Sequence, residues 1–547
     1  MEDNKDLMTA IERLPSTEEQ DKNRRKRKTA RAALSFGIMA LLLAILFLAA
    51  VNIGSLKVSF PQLFRGIFLE PDETVSTIFD LRFPRIMISM LAGAAVAVSG
   101  VLFQAVLKNP LADPGIIGIS SGVGFAAVII TAAAPALFFF TPLFAFLGGV
   151  LAFFLVYTLS WKGGLSPLRI ILVGVAVNSM FTGLSSAMNS MSGGNMSGVA
   201  SIVNGNITMK TWEDVGTLVP YVVIGLVLAL AFAGKCNLLS LEDKTVRSLG
   251  VNVNTMRILI SLAAVLLAGI STAVAGGGKL SGPNRSPHRK NPGRQRPQGA
   301  DSFSYGKNKV LRDVSFKIKG GDITTIMGAN GCGKSTLFSL MTKNLYPRKG
   351  NIFLSGKNIQ NLGLKDFARK VSIVHQYNTS SDDITVERLV SFGRTPHMKM
   401  MQAKSQEDEE RIRWAMEVTN IEKYRNREVA RLSGGQRQRV WIAMALAQDT
   451  RILFLDEPTT YLDIRYQIEI LELIRRLNEE FGITIIMVLH DINQAIHFSR
   501  QVIGLKDGTV SFQGDPQAVI DADSIRDLYG IRLDVTEIEG KKFVLTV

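Results

Sequence analysis

The sequence predicts an all-α polytopic membrane helix bundle, followed by an α/β domain of the P-loop class. Three observations lead to this fold class. Residues 33–277 contain several apolar runs of about 20 residues, the length that an α-helix needs to cross a bilayer. After Asp301 no such run occurs, and charged residues become frequent. This second part contains a glycine-rich loop, Gly328–Thr336, between an apolar strand and a helix.

The membrane part begins with a basic tail. Its cluster, Lys22–Arg31, precedes the first apolar run, and no small-residue cleavage pattern follows. We interpret residues 1–32 as a cytoplasmic tail beside a membrane anchor, although a disordered basic tail is compatible with the same residues. Seven spans rich in small residues follow, and membrane lipid is an expected partner. They cover residues 33–54, 85–106, 115–133, 137–160, 168–189, 216–235 and 256–277.

The net charge of +15 does not by itself indicate a nucleic-acid-binding protein. Much of the excess lies in the tail cluster and in a second cluster between Lys279 and Arg296, so no nucleic-acid partner is expected. The two cysteines, Cys236 and Cys332, have no CxxC partner, and the five histidines lack metal-ligand spacing. The sequence therefore predicts neither a disulfide framework nor a zinc site.

Three segments of the membrane part carry a family resemblance. They are Leu81–Arg85, Asn109–Gly122 and Arg247–Val251, of which the string Asn-Pro-Leu-Ala-Asp-Pro is the most specific. They resemble the FecCD-type permeases for iron-siderophores and vitamin B12, over residues 33–277. The resemblance implies a ten-span subunit that dimerises around a translocation path, and an extracytoplasmic siderophore-binding protein as a partner. Arg65, in a predicted outer loop, is either a contact for that protein or a plain interfacial arginine.

The loop after the sixth span is cytoplasmic if the basic tail is cytoplasmic. It contains a predicted short polar helix that ends at Gly250. In the permease family the corresponding loop, residues 240–253 here, docks on the ATPase and couples it to transport. The alternative is an ordinary solvated connector.

The glycine-rich loop follows the strand Ile323–Met327 and precedes a helix expected to begin near Leu337. Glycines allow backbone N–H groups to surround phosphate oxygens, and the helix N-terminus adds positive potential. Lys334 is expected to reach the β- and γ-phosphates and Ser335 to hold Mg²⁺, which predicts ATP and Mg²⁺ as cofactors. The predicted phosphate-binding residues are Gly328, Asn330, Gly331, Gly333, Lys334, Ser335 and Thr336.

A second apolar strand, Arg451–Leu455, ends in Asp456 and Glu457. Asp456 is expected to hold Mg²⁺ through water, and Glu457 lies where a general base could polarise the attacking water. Alone, an apolar run that ends in two acids is a weak signal.

The segment Leu432–Gln436 directly precedes a predicted helix, Arg437–Ala447. It resembles the signature sequence of ATP-binding cassettes, so residues 302–547 are identified as an ABC-type nucleotide-binding domain. The resemblance implies that this segment contacts the γ-phosphate of ATP held by a partner domain, which requires an ATPase-domain dimer. The signature residues concerned are Ser433, Gly434, Gly435 and Gln436.

Further positions match the same family. Gln376 resembles the glutamine that senses Mg²⁺ and the membrane subunit, and His490 the switch histidine at the γ-phosphate. Asp463 resembles the loop that crosses the dimer interface, and Tyr305 the residue that stacks on adenine. The catalytic set implied is Glu457, His490 and Gln376, and the Mg²⁺ set is Ser335, Gln376 and Asp456. The strings Pro458–Ile464 and Leu489–Ala495 are typical of siderophore-importer ATPases.

The junction, residues 278–301, conflicts with this scheme. Seven spans from a cytoplasmic start place the ATPase outside the cell, away from ATP. One interpretation is a basic linker. The other is a shifted reading frame, because possible codons for residues 282–298, read from the second base, permit Gly-Leu-Ile-Val-Pro-His-Ile-Ala-Arg. FecCD permeases carry that stretch after their seventh span. We therefore hypothesise an extra base near Gly276–Gly278 and a deletion that removed spans 8 to 10 and the start of the ATPase.

The sequence thus predicts an importer that uses ATP hydrolysis to take up a ferric siderophore or related iron chelate across the cytoplasmic membrane. The substrate class comes only from the resemblance. The alternative is a non-transporting fusion product with its nucleotide-binding domain on a truncated, misoriented anchor. An exporter is disfavoured by the permease motifs. The predicted domains are 1–32, 33–277, 278–301 and 302–547.

Overall fold

The computed structural model describes residues 17–53, 58–69, 72–110, 112–115, 117–133, 140–161, 167–191, 207–208, 210–275, 310–381, 383–398 and 404–545. Tyr305 and the junction 278–301 lie outside these residues. The chain divides into two compact units. The first comprises Met1–Asn237 and Asn254–Gly299, and the second comprises Leu238–Val253 and Ala300–Val547. The loop after the sixth predicted span therefore belongs to the same unit as the ATPase.

The described part of the first unit is helical, as predicted. Its helices are α1 (Thr17–Asn52), α2 (Phe60–Phe68), α3 (Glu73–Leu81), α4 (Phe83–Leu107), α5 (Ile119–Ala133), α6 (Thr141–Ser160), α7 (Pro167–Met191), α8 (Trp212–Leu238) and α10 (Val253–Ala275). Local signals start α2 and α3, which the sequence interpretation treated as loop. Ser59 caps the N-terminus of α2, and Asp72 accepts from the backbone of Thr74 and Val75 in α3. Arg65 consequently lies in a helix.

Six segments in the described residues are long and apolar enough to cross a membrane. They are Ala33–Asn52, Glu73–Leu107, Leu143–Ser160, Pro167–Met188, Trp212–Leu238 and Val253–Ala275. The third predicted span, 115–133, forms α5 with only 15 residues. At 1.5 Å per residue α5 is roughly 22 Å long, less than the roughly 30 Å of a hydrocarbon core. Where the sequence predicted seven spans, the described residues thus contain six segments long enough to cross a membrane and one shorter apolar helix.

Small residues bring the membrane helices close together, as the composition predicted. A Cβ atom on Gly148 of α6 would lie 2.5 Å from the carbonyl oxygen of Gly122 in α5, so only glycine fits there. The α10 helix is the most buried of the six long segments, because 72% of its most apolar stretch is buried. Ser99 donates to the carbonyl oxygen of Ala264 in α10 at 2.7 Å. These contacts place α10 in the core of the bundle.

The second unit contains a six-stranded sheet in the order β4-β5-β6-β1-β7-β8, which confirms the predicted α/β class. The first five strands are parallel and β8 pairs antiparallel with β7. The sheet strands are β1 (Ile323–Met327), β4 (Val371–Val374), β5 (Ile452–Asp456), β6 (Thr484–Val488), β7 (Gln501–Lys506) and β8 (Thr509–Gly514). Two hairpins add β2 (Phe353–Leu354) with β3 (Lys357–Asn358), and β9 (Val535–Ile538) with β10 (Lys541–Val544).

Helices surround this sheet and complete the second unit. They are α9 (Asp243–Ser248), α11 (Lys334–Met341), α12 (Leu364–Ala368), α13 (Val386–Ser391), α14 (Gln406–Val418), α15 (Gly434–Ala447), α16 (Ile464–Phe481), α17 (Ile492–Phe498), α18 (Pro516–Val519) and α19 (Ala522–Tyr529). Four single turns of 3₁₀ helix lie at Ile359–Asn361, Phe392–Arg394, Glu422–Tyr424 and Val429–Arg431. The short helix predicted before Gly250 is present as α9, and Gly250 has a φ of 79°.

Two predicted helix starts are corrected by the structure. The helix expected near Leu337 begins at Lys334, directly after Gly333 at a φ of 108°. The helix expected from Arg437 begins at Gly434, because Ser433 caps it and Gln436 completes a capping box. Both corrections move the motif residues into the first turn of a helix, where backbone N–H groups lack intrahelical partners.

Parallel pairing brings the functional segments to one edge of the sheet. Gly328 follows β1, Gln376 follows β4, Glu457 follows β5 and His490 follows β6. Because these strands run parallel, the residues that follow their carboxyl ends lie at the same edge.

Candidate nucleotide-binding site

The phosphate-binding loop requires its glycines. Gly328, Gly331 and Gly333 have φ angles of 150°, 85° and 108°. A Cβ atom on Gly328 would lie 2.2 Å from the carbonyl oxygen of Leu505. No side chain can occupy that space, so the loop geometry depends on glycine there.

Lys334 lies inside this loop with only 6% of its surface exposed. Its Nζ atom donates to the carbonyl oxygens of Gly328 at 2.6 Å and Ala329 at 3.0 Å. Ser335 is exposed in the first turn of α11, and Thr336 is half-buried beside it. The loop thus combines a buried positive charge with a helix N-terminus, and both favour an anionic ligand.

The three predicted catalytic side chains meet at one carboxylate. His490 Nε2 lies 2.6 Å from Glu457 Oε1, and Gln376 Nε2 donates to Glu457 Oε2. The Glu457 side chain is 12% exposed and its backbone adopts a φ of 48°. Glu457 therefore sits in a sparsely populated backbone conformation, held by side chains from two neighbouring strand ends.

Sequence reasoning missed two features of this cluster. Thr460 Oγ1 also donates to Glu457 Oε2, at 3.0 Å. Tyr377 and Tyr461 meet through their hydroxyl groups at 3.0 Å, beside the segments that carry Gln376 and Glu457. Thr460 lies within Pro458–Ile464, the segment typical of siderophore-importer ATPases. The sequence therefore marked this segment, but it did not predict the contact between Thr460 and Glu457.

Asp456 has an unusual proton affinity. Burial, and then the negative charge of Glu457, raise the pKa of Asp456 to about 6, while the positive charges of Lys244 and His490 act in the opposite direction. Within the described residues no cluster of three or more His, Cys, Asp or Glu side chains could hold a metal. The oxygen donors Ser335 and Asp456 fit Mg²⁺, which keeps several water and phosphate ligands and needs few from the protein.

The signature segment stands apart from this cluster. Ser433 Oγ accepts from the backbone of Gln436 at 3.4 Å, and Gln436 Nε2 donates to the Tyr424 hydroxyl at 3.0 Å. Ser433 and Gly434 are exposed, and among the described contacts none joins them to the P-loop or to Glu457. Asp463 caps α16 through the backbone of Tyr466, at 3.1 Å. The structure therefore does not bring the signature segment into the site of its own chain.

The loop after the sixth predicted span contacts the ATPase inside the second unit. Thr245 Oγ1 lies 3.5 Å from Asn378 Oδ1, and Gln448 Nε2 donates to the Ser248 carbonyl at 3.2 Å.

His375, next to Gln376, is buried near this loop. Burial, followed by the charge of Lys244, lowers the pKa of His375 to about 4, so the imidazole is neutral at physiological pH.

Two family models match separate parts of the chain. The FecCD transport family matches residues 42–277, and the ABC transporter family matches residues 311–460. Among curated proteins, the petrobactin import ATP-binding protein FpuC of Bacillus anthracis is 43% identical over 241 residues, which cover 44% of this chain and 89% of FpuC.

The chain belongs to the ABC transporter family.

Other relatives of this ABC transporter chain agree. The iron(3+)-hydroxamate import ATP-binding protein FhuC of Bacillus subtilis is 45% identical over 233 residues, 43% of this chain and 87% of FhuC. The ferric enterobactin transport ATP-binding protein FepC of Escherichia coli is 44% identical over 231 residues, 42% of this chain and 85% of FepC. The ABC transporter chain is thus an ATP-hydrolysing, multi-pass membrane protein that joins a FecCD permease part to an ABC ATPase part.

The junction falls between the two family matches. The FecCD match ends at residue 277 and the ABC transporter match begins at residue 311. The first of these limits coincides with Gly276–Gly278, where the sequence interpretation places the change of reading frame. The frame change itself stays a prediction.

Proposed function

We propose that this chain is a component of an importer that uses MgATP hydrolysis to move a ferric siderophore, or a related iron chelate, across the cytoplasmic membrane. The observation that carries the ATPase part is the Glu457 carboxylate, bonded to Gln376 and Thr460 and in contact with His490, at the sheet edge that also holds the P-loop. The FecCD match and the siderophore import relatives support the substrate class.

The proposed reaction assigns a task to each part of the site. The P-loop N–H groups and Lys334 bind the phosphates, and Tyr305 stacks on the adenine. Mg²⁺, held by Ser335 and by Asp456 through water, with Gln376 nearby, would neutralise phosphate charge. A water molecule attacks the γ-phosphorus and gives a proton to Glu457, while the bond to the β-phosphate oxygen breaks and ADP leaves.

A second copy of the ATPase domain completes each site in this proposal. Ser433, Gly434, Gly435 and Gln436 of one domain contact the γ-phosphate bound by the other, and Asp463 lies in the segment between them. The exposed position of Ser433 and Gly434 and their separation from Glu457 support this arrangement. The partner domain belongs to a second copy of the chain or to another ABC subunit, and an extracytoplasmic siderophore-binding protein delivers the chelate.

Coupling is assigned to residues 240–253. Their packing in the same unit as the ATPase supports a docking role over that of a solvated connector. We propose that Lys244, Thr245 and Ser248 carry motion between the permease part and the segment that contains Gln376. The contacts of Thr245 with Asn378 and of Ser248 with Gln448 provide the mechanical connection.

One observation favours the second candidate, a non-transporting fusion product. Only α10 separates residues 238–253 from the ATPase, and residues 276–309 contain no apolar run. If α10 crosses the membrane, its two ends lie on opposite faces, whatever the number of earlier spans. Docking of residues 238–253 on the ATPase of the same chain then becomes impossible. A working importer requires that α10 not cross completely, or that the docked ATPase come from a separate polypeptide.

Uptake of ferric chelate by membrane vesicles distinguishes the two candidates. We expect ATP-dependent uptake by the wild-type chain and none by Glu457→Gln. Glu472→Gln is the control, because Glu472 pairs with Arg475 on the surface of α16. Equal uptake by wild type and Glu457→Gln would contradict the proposal. ATP hydrolysis without uptake would establish the fusion candidate. Sequencing the coding DNA tests its origin, since a shifted frame must encode the permease string.

A further inference from the structure

A buried glutamine connects residues 238–253, here called the docked segment, to the ATPase core. Gln448 follows α15 directly and is 1% exposed. Its Nε2 atom lies within hydrogen-bonding distance of three carbonyl oxygens, those of Ser248 at 3.2 Å, Val371 at 3.0 Å and Ala368. Buried side-chain amides usually have partners. Here one nitrogen has acceptors from two separate stretches of the chain, Ser248 and residues 368–371.

Each segment at this amide leads to a part of the ATPase machinery. Ser248 ends α9, in the docked segment. Val371 begins β4, whose other end leads to Gln376 and so to Glu457. Gln448 itself ends the helix that Ser433 begins. The amide is therefore the point where the docked segment, the strand of Gln376 and the signature helix meet.

The hydrogen bonds at Gln448 cannot all be well formed at once. A primary amide carries two N–H protons, whereas three carbonyl oxygens are in range. The hydrogen bond from Gln448 to the Ser248 carbonyl, at 3.2 Å, is longer than the bond to the Val371 carbonyl, at 3.0 Å. A small movement of α9 therefore changes which carbonyl oxygens accept the two amide protons. Such sharing makes the position of β4 sensitive to whether α9 is in place.

The docked segment also contacts the residues that flank β4 in sequence. Before the strand, a Cβ atom on Gly250 would lie 2.8 Å from Lys365 Cα, so the two backbones are in close contact. After the strand, Thr245 meets Asn378. Movement of α9 therefore acts on the residues before β4, on those after β4 and, through Gln448, on the strand itself.

We propose that Gln448 is a positioning residue that transmits the state of residues 238–253 to Gln376 and to the signature helix. Gln448 contacts neither nucleotide nor the attacking water. This role rests on the coupling part of the proposed function, and it does not depend on which chelate is transported. Docking adds the Ser248 carbonyl to the Ala368 and Val371 carbonyls that share the amide, which holds α9, β4 and α15 in fixed relation.

The test uses the full-length chain in detergent, where ATP has access to both faces of the protein. Gln448→Leu keeps the volume and removes both protons, and Gln448→Asn keeps the amide on a shorter side chain. The control is Gln406→Leu, because Gln406 is exposed and donates to Glu410 on the same helix, α14. The readouts are kcat and KM for ATP, and the rate of disulfide formation between Thr245→Cys and Asn378→Cys with Cys236 and Cys332 replaced by Ser.

We expect both Gln448 variants to lower kcat and slow the cross-link by about tenfold, with KM for ATP unchanged, since allosteric couplings commonly fall in this range. Val246→Asp provides the decisive background, because Val246 is fully buried in the docked segment and a charge there would undock α9. In that background the Gln448 variants should cause no further loss of kcat. An equal loss with and without Val246→Asp would show a merely structural role and overturn the proposal, as would unchanged kcat in both variants.

Discussion

His490 Nε2 lies 2.6 Å from Glu457 Oε1, on the opposite carboxylate oxygen from the one that Gln376 and Thr460 bind. Glu457 is largely buried, whereas His490 is 44% exposed. The histidine therefore sits between the carboxylate and the open side of the site. In the proposed reaction, a ligand phosphate at His490 would draw it away from Glu457 and free Oε1 to accept a proton from water.

Glu457→Gln should abolish ATP hydrolysis while ATP binding persists. An amide cannot accept the proton of the attacking water, and a general base contributes about 10²- to 10⁴-fold to rate. We expect kcat to fall by about that factor, measured by phosphate release. Binding of a fluorescent ATP analogue should stay within about twofold of wild type, a difference of about 0.4 kcal/mol in binding free energy, where a tenfold change corresponds to about 1.4 kcal/mol. Glu472→Gln should retain wild-type kcat, and substantial hydrolysis by Glu457→Gln would rule out the assigned base.

Ser335→Ala should raise the Mg²⁺ concentration that hydrolysis requires, because the variant binds the metal more weakly. Its hydroxyl lies exposed in the first turn of α11, where it is assigned to the metal. The Mg²⁺ concentration for half-maximal hydrolysis should rise by at least roughly tenfold, the loss that removal of even an outer partner of a metal ligand causes. Chelation with EDTA should stop hydrolysis in both proteins. Ser339→Ala, one turn later on α11, is the control, and an identical shift in both variants would refute the metal role.

Gly250→Ala should loosen the docked segment. Gly250 has a φ of 79°, and an added Cβ atom would lie 2.8 Å from Lys365 Cα. The backbone strain alone costs about 1 to 2 kcal/mol. Gly482→Ala isolates that term, because Gly482 has a φ of 65° but no atom within 4 Å of an added Cβ. Hydrogen exchange should accelerate in residues 243–250 of Gly250→Ala only, and equal exchange there in both variants would contradict the close contact.

Asp408→Asn should destabilise the ATPase part above pH 4 but not in strong acid. Burial acts to raise the pKa of Asp408, but hydrogen bonds from Arg394 and Ser405 outweigh it and lower the pKa below 3.8. The folded pKa lies below the unfolded value, so the stability that the carboxylate contributes is present above that value. It disappears as the pH falls through the folded pKa.

The measurement for this pair is thermal unfolding followed by tryptophan fluorescence. Arg394 and Asp408 side chains are 3% and 10% exposed, so loss of the charge should cost on the order of 3 kcal/mol at pH 7. Trp414 on α14 and Trp441 on α15 report on this region. Asp449→Asn, which breaks the exposed Arg411–Asp449 pair, should not change the midpoint. A pH-independent difference between wild type and Asp408→Asn would show that charge is not the cause.

The side of the membrane on which the ATPase lies can be measured with a reporter fused after Val547. A working importer requires a cytoplasmic signal, because ATP is cytoplasmic. Seven complete crossings from a cytoplasmic start would place the ATPase outside the cell. A cytoplasmic signal would therefore mean that the helices up to α10 do not make seven complete crossings. An external signal would contradict coupled transport by this chain and support the truncated fusion.

The sequence located the ATPase elements well, since their signals are local. Strand β1 has the predicted bounds, because short apolar runs between turn residues mark buried parallel strands. The missed start of α15 was also local, as Ser433 and Gln436 form a capping box that sequence reasoning did not use. The short α5 was not predictable by counting apolar residues, because hydropathy alone does not mark where a helix begins.

What the sequence determined by itself is the order of two parts and the chemistry of their motifs. Glycine spacing fixes the phosphate loop, and apolar length fixes the membrane helices. Only the tertiary structure decided which side chains meet. Parallel pairing of β4, β5 and β6 brings Gln376 and His490 to Glu457. Folding likewise brings Gln448 to Ser248, which is 200 residues earlier in the chain. Contacts between residues so far apart depend on how the sheet is assembled, and no local pattern encodes that.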